Sequence, residues 1–163
     1  MMQYCKLKFL LINFYFFSNI FYSKKNVDFF SNNYGILISM KNLYHMVLTD
    51  HFRNPRNSKP LSEHNVALTN VNPLCGDMVN IQIKCDGDTI TNIGIQANGC
   101  VISVAVASLL SELVLHKQIH EVNALDAGIV QKLVGMDLGP TRLKCALLGL
   151  KAIQEGIKTY KKS

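Results

Sequence analysis

The sequence lacks the dense cysteine spacing of a secreted disulfide scaffold: Cys5, Cys75, Cys85, Cys100 and Cys145 are odd in number and far apart. Reduced thiols in a cytosol-like compartment are therefore expected. The chain also lacks a stripe of Lys and Arg with interleaved aromatics. Its net charge is +6, but Lys6, Lys8, Lys24 and Lys25 against Asp28 place +3 of that in the first 39 residues, and the remainder is only mildly basic. Nucleic acid is not an expected partner. The apolar run from Leu7 to Tyr22 is interrupted by Asn13, Ser18 and Asn19, and at about 16 residues it falls short of the roughly 20 that a spanning helix needs. Histidine pairs with metal-ligand spacing are scarce as well. His45 and His51 have no second ligand three or four residues on, while His116 and His120 lie near a helix end with no cysteine close by. All four read as surface or half-buried histidines.

What is there divides at Met40. Residues 1–39 are rich in Phe, Tyr, Asn, Ile, Lys and Ser and do not read as part of a globular core. They are an N-terminal extension: a mis-called start, with translation beginning at Met40, or a presequence or anchor. Residues 40–163 form the domain, long enough to bury a core without disulfides. Deleting residues 1–39 is expected to leave a folded, metal-binding domain.

Within that domain the spacing of Leu43, Val47, Leu48 and Phe52 predicts an amphipathic helix over 41–52, ended by Asn54-Pro55. Val66, Leu68 and Val71 suggest a short strand. Residues 78–85 and 89–96 alternate with a period of two around the turn Asp86-Gly87-Asp88, which predicts a hairpin with Val79, Ile81 and Ile83 on the core side. Cys85 is placed on the polar side as an incidental thiol. A long apolar helix is expected from Val101 to His116, then two short helices covering the sheet between Gln118 and Gly135. A last helix is expected to begin at Cys145, after the break Gly139-Pro140-Thr141, and to run to about Tyr160.

The chemistry gathers at Pro73-Leu74-Cys75-Gly76-Asp77, Gly99-Cys100 and Arg142-Leu143-Lys144-Cys145. Cys75 and Asp77 flank a glycine, so thiolate and carboxylate can point the same way from a loop end. Cys100 and Cys145 each fall near an expected helix start, where unpaired N–H groups favour thiolate over thiol; Lys144 and Arg142 are expected to lower the Cys145 pKa further. Three thiols and a carboxylate so placed make more sense as one ligand cluster than as separate accidents.

At these residues the chain resembles the U-type iron-sulfur cluster assembly scaffolds, the family of IscU, SufU and the N-terminal domain of NifU. The resemblance runs from Met40 to Ser163 through Leu43-Tyr44, the run from Asp50 to Asn57, Cys75-Gly76-Asp77, Gly99-Cys100 followed by Ser103, and Lys144-Cys145-Ala146, with cysteine separations of 25 and 45. It implies an α+β fold, a small antiparallel three-stranded sheet with helices packed on one face, and a site of Cys75, Asp77, Cys100 and Cys145. It also implies a cysteine desulfurase as sulfur donor and apo iron-sulfur proteins as recipients. The IscU branch has a histidine before its last cysteine and a Leu-Pro-Pro-Val-Lys segment recognised by an Hsp70-type chaperone. Lys144 and Leu138-Gly139-Pro140-Thr141-Arg142 stand in those places here, which makes the chaperone a doubtful partner. The SufU branch has a basic residue before the cysteine, as here, but carries an extra stretch that a 45-residue spacing is too short to contain.

Two functions follow from the resemblance, and a third class stays open beside them. One is a scaffold in which Cys75, Cys100 and Cys145 accept sulfur, with Cys145 the candidate acceptor, and hold iron or a [2Fe-2S] cluster, Asp77 being the weaker ligand that keeps it releasable. The second is a sulfurtransferase in which Zn²⁺ is held by Cys75, Asp77, Cys100 and Cys145 and one thiolate takes up a persulfide. The third is a zinc-stabilised binding module with no reaction of its own. A scaffold or sulfur acceptor fits better than a conventional enzyme. No membrane is expected for residues 40–163; the compartment is cytoplasmic, or an organelle matrix if residues 1–39 are a presequence, and a homo-oligomer is open.

Overall fold

The alternation in the middle of the chain builds the sheet from which the site hangs. The computed structural model describes residues 40–161, so the expectation for residues 1–39 lies outside the described residues. In chain order the elements are helix α1 (Met40–Arg53), strands β1 (Val66–Val71), β2 (Met78–Asp86) and β3 (Thr89–Asn98), and helices α2 (Val101–Val114), α3 (Ile119–Asn123), α4 (Ala127–Val134) and α5 (Pro140–Tyr160). The fold is α+β, with a three-stranded antiparallel sheet in the order β1-β2-β3. Val79, Ile81 and Ile83 of β2 are fully buried, joined by Ile90, Ile93 and Ile95 of β3. A β-bulge explains how Ile90 and Ile93, three apart, both face inward: Lys84 pairs with Asn92 and Cys85 with Ile90, so Thr91 is the extra residue.

Helices α2 and α5 supply the other half of the core: α2 packs on β3, α5 on β1 and β2, and the two helices on each other. Ala105, Val106, Leu110 and Val114 of α2 and Ala152, Ile153 and Ile157 of α5 are buried there. At about 1.5–3 kcal/mol for each large apolar side chain taken from water, this layer is the main source of stability.

Several expectations need correction. Cys85 is buried, 4 % exposed, and belongs to the core; the two-residue period that buries residues 79, 81 and 83 buries residue 85 with them. Phe52 is 39 % exposed while the neighbouring His51 is 2 % exposed, so the buried stripe of α1 ends on the histidine. Helix α2 stops at Val114, and His116 takes a left-handed backbone with φ 65°. The short helices α3 and α4 pack on α5, and α4 also on α2, while the segment entering α3 is bonded to β3 at Thr89 and Ile90. Helix α5 begins at Pro140, with Gly139 as its N-cap. Proline at the first helical position has the right φ and lacks only an N–H that would be unpaired there, so the residue taken as a break is the start.

The register decides where the site can be. Val71 pairs with Met78, and Met78 with Asn98, so the 72–77 loop and the Gly99-Cys100 segment leave the sheet at the same end.

Candidate metal centre

Three segments meet at that end of the sheet. The 72–77 loop is organised by Asn72: its carbonyl oxygen accepts from the N–H of Gly76 at 2.8 Å, its own N–H donates to the Asp77 carbonyl at 2.8 Å, and its Oδ1 accepts from Leu74 N–H at 3.1 Å. Gly76, at φ 73°, turns the chain where an L side chain would be strained. Cys75 is left exposed and Asp77 is folded inward, 3 % exposed.

Asp77 fits only because residue 99 is glycine: a Cβ there would overlap the Asp77 carboxyl group. Immediately after it, Cys100 caps α2, its sulfur accepting from Ser103 N–H at 3.4 Å. The Cys100 backbone N–H donates to Asp77 Oδ1 at 3.1 Å.

Cys145 enters from α5. The helix starts five residues earlier than expected, so Cys145 lies in its second turn, not at its N-terminus, and is buried at 5 % exposure. Its sulfur is 3.4 Å from that of Cys75 and accepts from Asn72 Nδ2 at 3.7 Å. Cys75, Asp77 and Cys145 each offer a ligand atom within 4.8 Å of the others. Cys100 lies outside that group, at its rim, and Cys85 is in the core.

The electrostatics suit a cation. Burial acts to raise the Asp77 carboxyl pKa, but hydrogen bonds from Cys75, from the Cys100 backbone and thiol and from Cys145 outweigh it, so the group is held below the usual carboxylate value. Its second oxygen, Oδ2, is buried without a hydrogen-bond partner, as is Ser103 Oγ. A buried, charged oxygen without a donor is costly, and a metal ion beside it would remove that cost. The Cys145 thiol is pushed up to about 12 by burial, then by its contacts with Cys75 and Asp77 and the charge of Cys100 and Cys75. This overturns the expectation that Lys144 and Arg142 lower it: both are exposed, and the groups acting on the sulfur are acidic. A metal ion that replaces the proton would make the thiolate available at neutral pH.

Sequence reasoning missed Asn72, although Asn before Pro is a turn signal. It also missed the polar cluster at His51. There His51 Nδ1 lies 2.8 Å from Ser108 Oγ, which accepts from Arg56 N–H at 2.7 Å, while Arg56 pairs with Asp50. His45, His116 and His120 are exposed, as expected.

Among known proteins, the family model for the NifU-like N-terminal domain matches residues 43–163. The zinc-dependent sulfurtransferase SufU of Bacillus subtilis is 32 % identical over 136 residues, covering 73 % of this chain and 92 % of that protein. The iron-sulfur cluster assembly scaffold protein IscU of Streptococcus pyogenes serotype M1 is 31 % identical over 139 residues, covering 75 % of this chain and 87 % of that one. A crystal structure of a putative iron-sulfur cluster assembly scaffold protein for the SUF system from Fervidobacterium islandicum superimposes with a TM-score of 0.59 at 21 % identity, over 69 % of this chain and 98 % of that chain, which speaks to the fold.

Proposed function

Since the chain belongs to the NifU-like N-terminal domain family, we propose that it is an iron-sulfur cluster assembly scaffold, with Cys75, Asp77, Cys100 and Cys145 as the residues that hold the cluster under construction. The observation that carries this reading is the meeting of Cys75, Asp77 and Cys145 within 4.8 Å at one end of the sheet, with the exposed Cys100 beside them. Thiolates suit iron and sulfide, and the carboxylate of Asp77 is the harder, weaker partner that favours release.

Sulfur enters as a persulfide on a cysteine desulfurase. A thiolate of the scaffold attacks the outer sulfur; the new S–S bond forms on the scaffold as the donor's S–S bond breaks, and the donor cysteine leaves as thiolate. Cys75 and Cys100 are exposed to such a donor, whereas Cys145 is buried and its thiol, pushed up to about 12, must also lose its proton before it can accept sulfur. Leu74 at 68 %, Val101 at 46 % and Met78 at 42 % exposure flank the cysteines, an apolar collar at the end a donor or a recipient apo-protein must approach. Among the described residues no helix is long and apolar enough to cross a membrane, and free thiols fit the cytoplasm or an organelle matrix.

A second reading rests on the likeness to the zinc-dependent SufU and on Lys144, which stands where a nitrogen ligand would be expected in the IscU branch. A Lys ammonium has no lone pair for a metal. Zinc would then be held by the same four residues, where its role is to keep the thiols deprotonated.

Metal and sulfide analysis of protein purified without air tests the scaffold reading. Iron with labile sulfide, formed in the presence of a cysteine desulfurase, is the expected result. Stoichiometric zinc with no sulfide, together with stimulation of the desulfurase, would replace it by the sulfurtransferase reading; zinc with no such stimulation would leave a zinc-stabilised binding module.

A further inference from the structure

The 72–77 loop carries one side chain whose two ends face different tasks. Asn72 is 7 % exposed, and its Oδ1 accepts from Leu74 N–H at 3.1 Å. Because a backbone N–H only donates, the atom facing it must be the amide oxygen, which fixes the flip of the side chain and leaves the NH₂ end toward Cys145 Sγ at 3.7 Å. The main chain of Asn72 bonds Gly76 N–H and the Asp77 carbonyl, both at 2.8 Å. One residue thus touches every part of the loop that presents Cys75 and Asp77, and also reaches across to the sulfur that arrives from α5.

We propose that Asn72 is a positioning residue of the site, shaping the 72–77 loop through its oxygen and tuning the Cys145 sulfur through its amide N–H. The inference rests on Cys145 being a metal-binding thiolate. A hydrogen bond to a coordinated sulfur draws charge from it and lowers the energy of its lone pairs, one of the means by which proteins set the properties of thiolate-bound metals. The site gathers three thiols and a carboxylate, so a neutral donor spreads negative charge without competing for the metal. Lys144 and Arg142, the nearby cations in sequence, are exposed; Asn72 meets this sulfur from within as a neutral donor, beside the acidic Cys75 and Asp77.

Two substitutions separate the oxygen's task from the nitrogen's. Asn72→Ser keeps a short acceptor for Leu74 N–H but does not reach Cys145. Asn72→Asp keeps the acceptor at full length, loses the donor and adds charge. Titration of the intact protein with cobalt(II) without air gives the sulfur-to-metal charge-transfer band and the affinity together. In both variants the band is expected at lower energy than in the wild type, with affinity reduced about tenfold, as for other outer-shell partners. A shift in Asn72→Asp alone would assign the effect to charge and overturn the proposal, as would an unshifted band in both. Loss of cobalt binding in either variant would confine Asn72 to holding the loop and overturn it equally. Absence of a thiolate band in the wild type would instead sink the metal site itself.

Discussion

Two polar clusters are set into the apolar body of this domain, and they are finished differently. Near the start of the described residues, His51, Ser108, Arg56 and Asp50 bond one another in sequence, and Asn57 Nδ2 reaches Ser111 Oγ at 3.0 Å. Donor and acceptor are matched there, and the cluster ties the 51–57 segment to α2. At the end of the sheet the polar groups also crowd together, but Asp77 Oδ2 and Ser103 Oγ are buried without partners and two thiols face each other at 3.4 Å. Completed networks stabilise the fold; an incomplete one is a standing cost that persists where something else completes it. The contrast, more than the presence of polar residues, picks out the functional end.

The contrast is breakable. Cys75→Ser and Cys145→Ser should reduce zinc or iron retention by more than the roughly 10–100-fold that outer-shell changes cost, and Cys100→Ser should weaken it strongly, while Cys85→Ser leaves metal content unchanged in a chelator competition. An equal loss for Cys85→Ser would show that burial, not ligation, is being measured. Gly99→Ala should come next, because its methyl would displace the Asp77 carboxylate: metal retention falls while the far-ultraviolet circular dichroism stays as it was. Ser108→Ala tests the other cluster. It leaves His51 Nδ1 and Arg56 N–H without their partner, so denaturant unfolding should show a loss of about 1–3 kcal/mol with unaltered metal affinity.

A smaller effect sharpens the comparison through pH. The Asp77 carboxyl is held below its ordinary value, so its carboxylate contributes stability that is present above the unfolded value and lost as pH falls through the folded one. In metal-free protein Asp77→Asn should therefore flatten the acid limb of the stability profile. Glu112 behaves oppositely: burial raises its pKa, with Arg56 opposing and Asp50 adding to the rise. Its folded state holds the proton more tightly, so stability declines as pH climbs from the ordinary value through the raised one, and Glu112→Gln should be neutral or slightly stabilising at pH 7. Least of all should change on deleting residues 1–39; loss of cooperative unfolding in that truncation would show the segment to be structural.

The sheet was legible because period-two alternation is local: the hairpin and its turn at Gly87 follow from residues 78–96 alone. The bulge at Thr91 was not, since one unpaired residue only becomes visible when Ile93 and Ile95 must face the same core as Ile90. The candidate ligands were legible from glycines and helix starts. Their inequality was not, because burial of Cys145 depends on α5 beginning at Pro140 and lying against the sheet, a packing fact that no spacing in residues 142–145 carries. Similarly, His51 looks like a surface histidine until Ser108, far along the chain, is brought to it.

The nearness of Cys75 and Cys145 has a polymer consequence. They are 70 residues apart in sequence, and whatever bridges them closes a loop that takes in β2, β3 and α2 through α4. A covalent cross-link of that span would restrict the denatured chain by an amount on the order of 4 kcal/mol, and a shared metal acts in the same direction while it stays bound. Loading and unloading would then tighten and slacken the domain as a whole. The same closeness exposes a hazard: oxidants that join the two sulfurs directly would fasten the loop and leave neither thiol free for cargo.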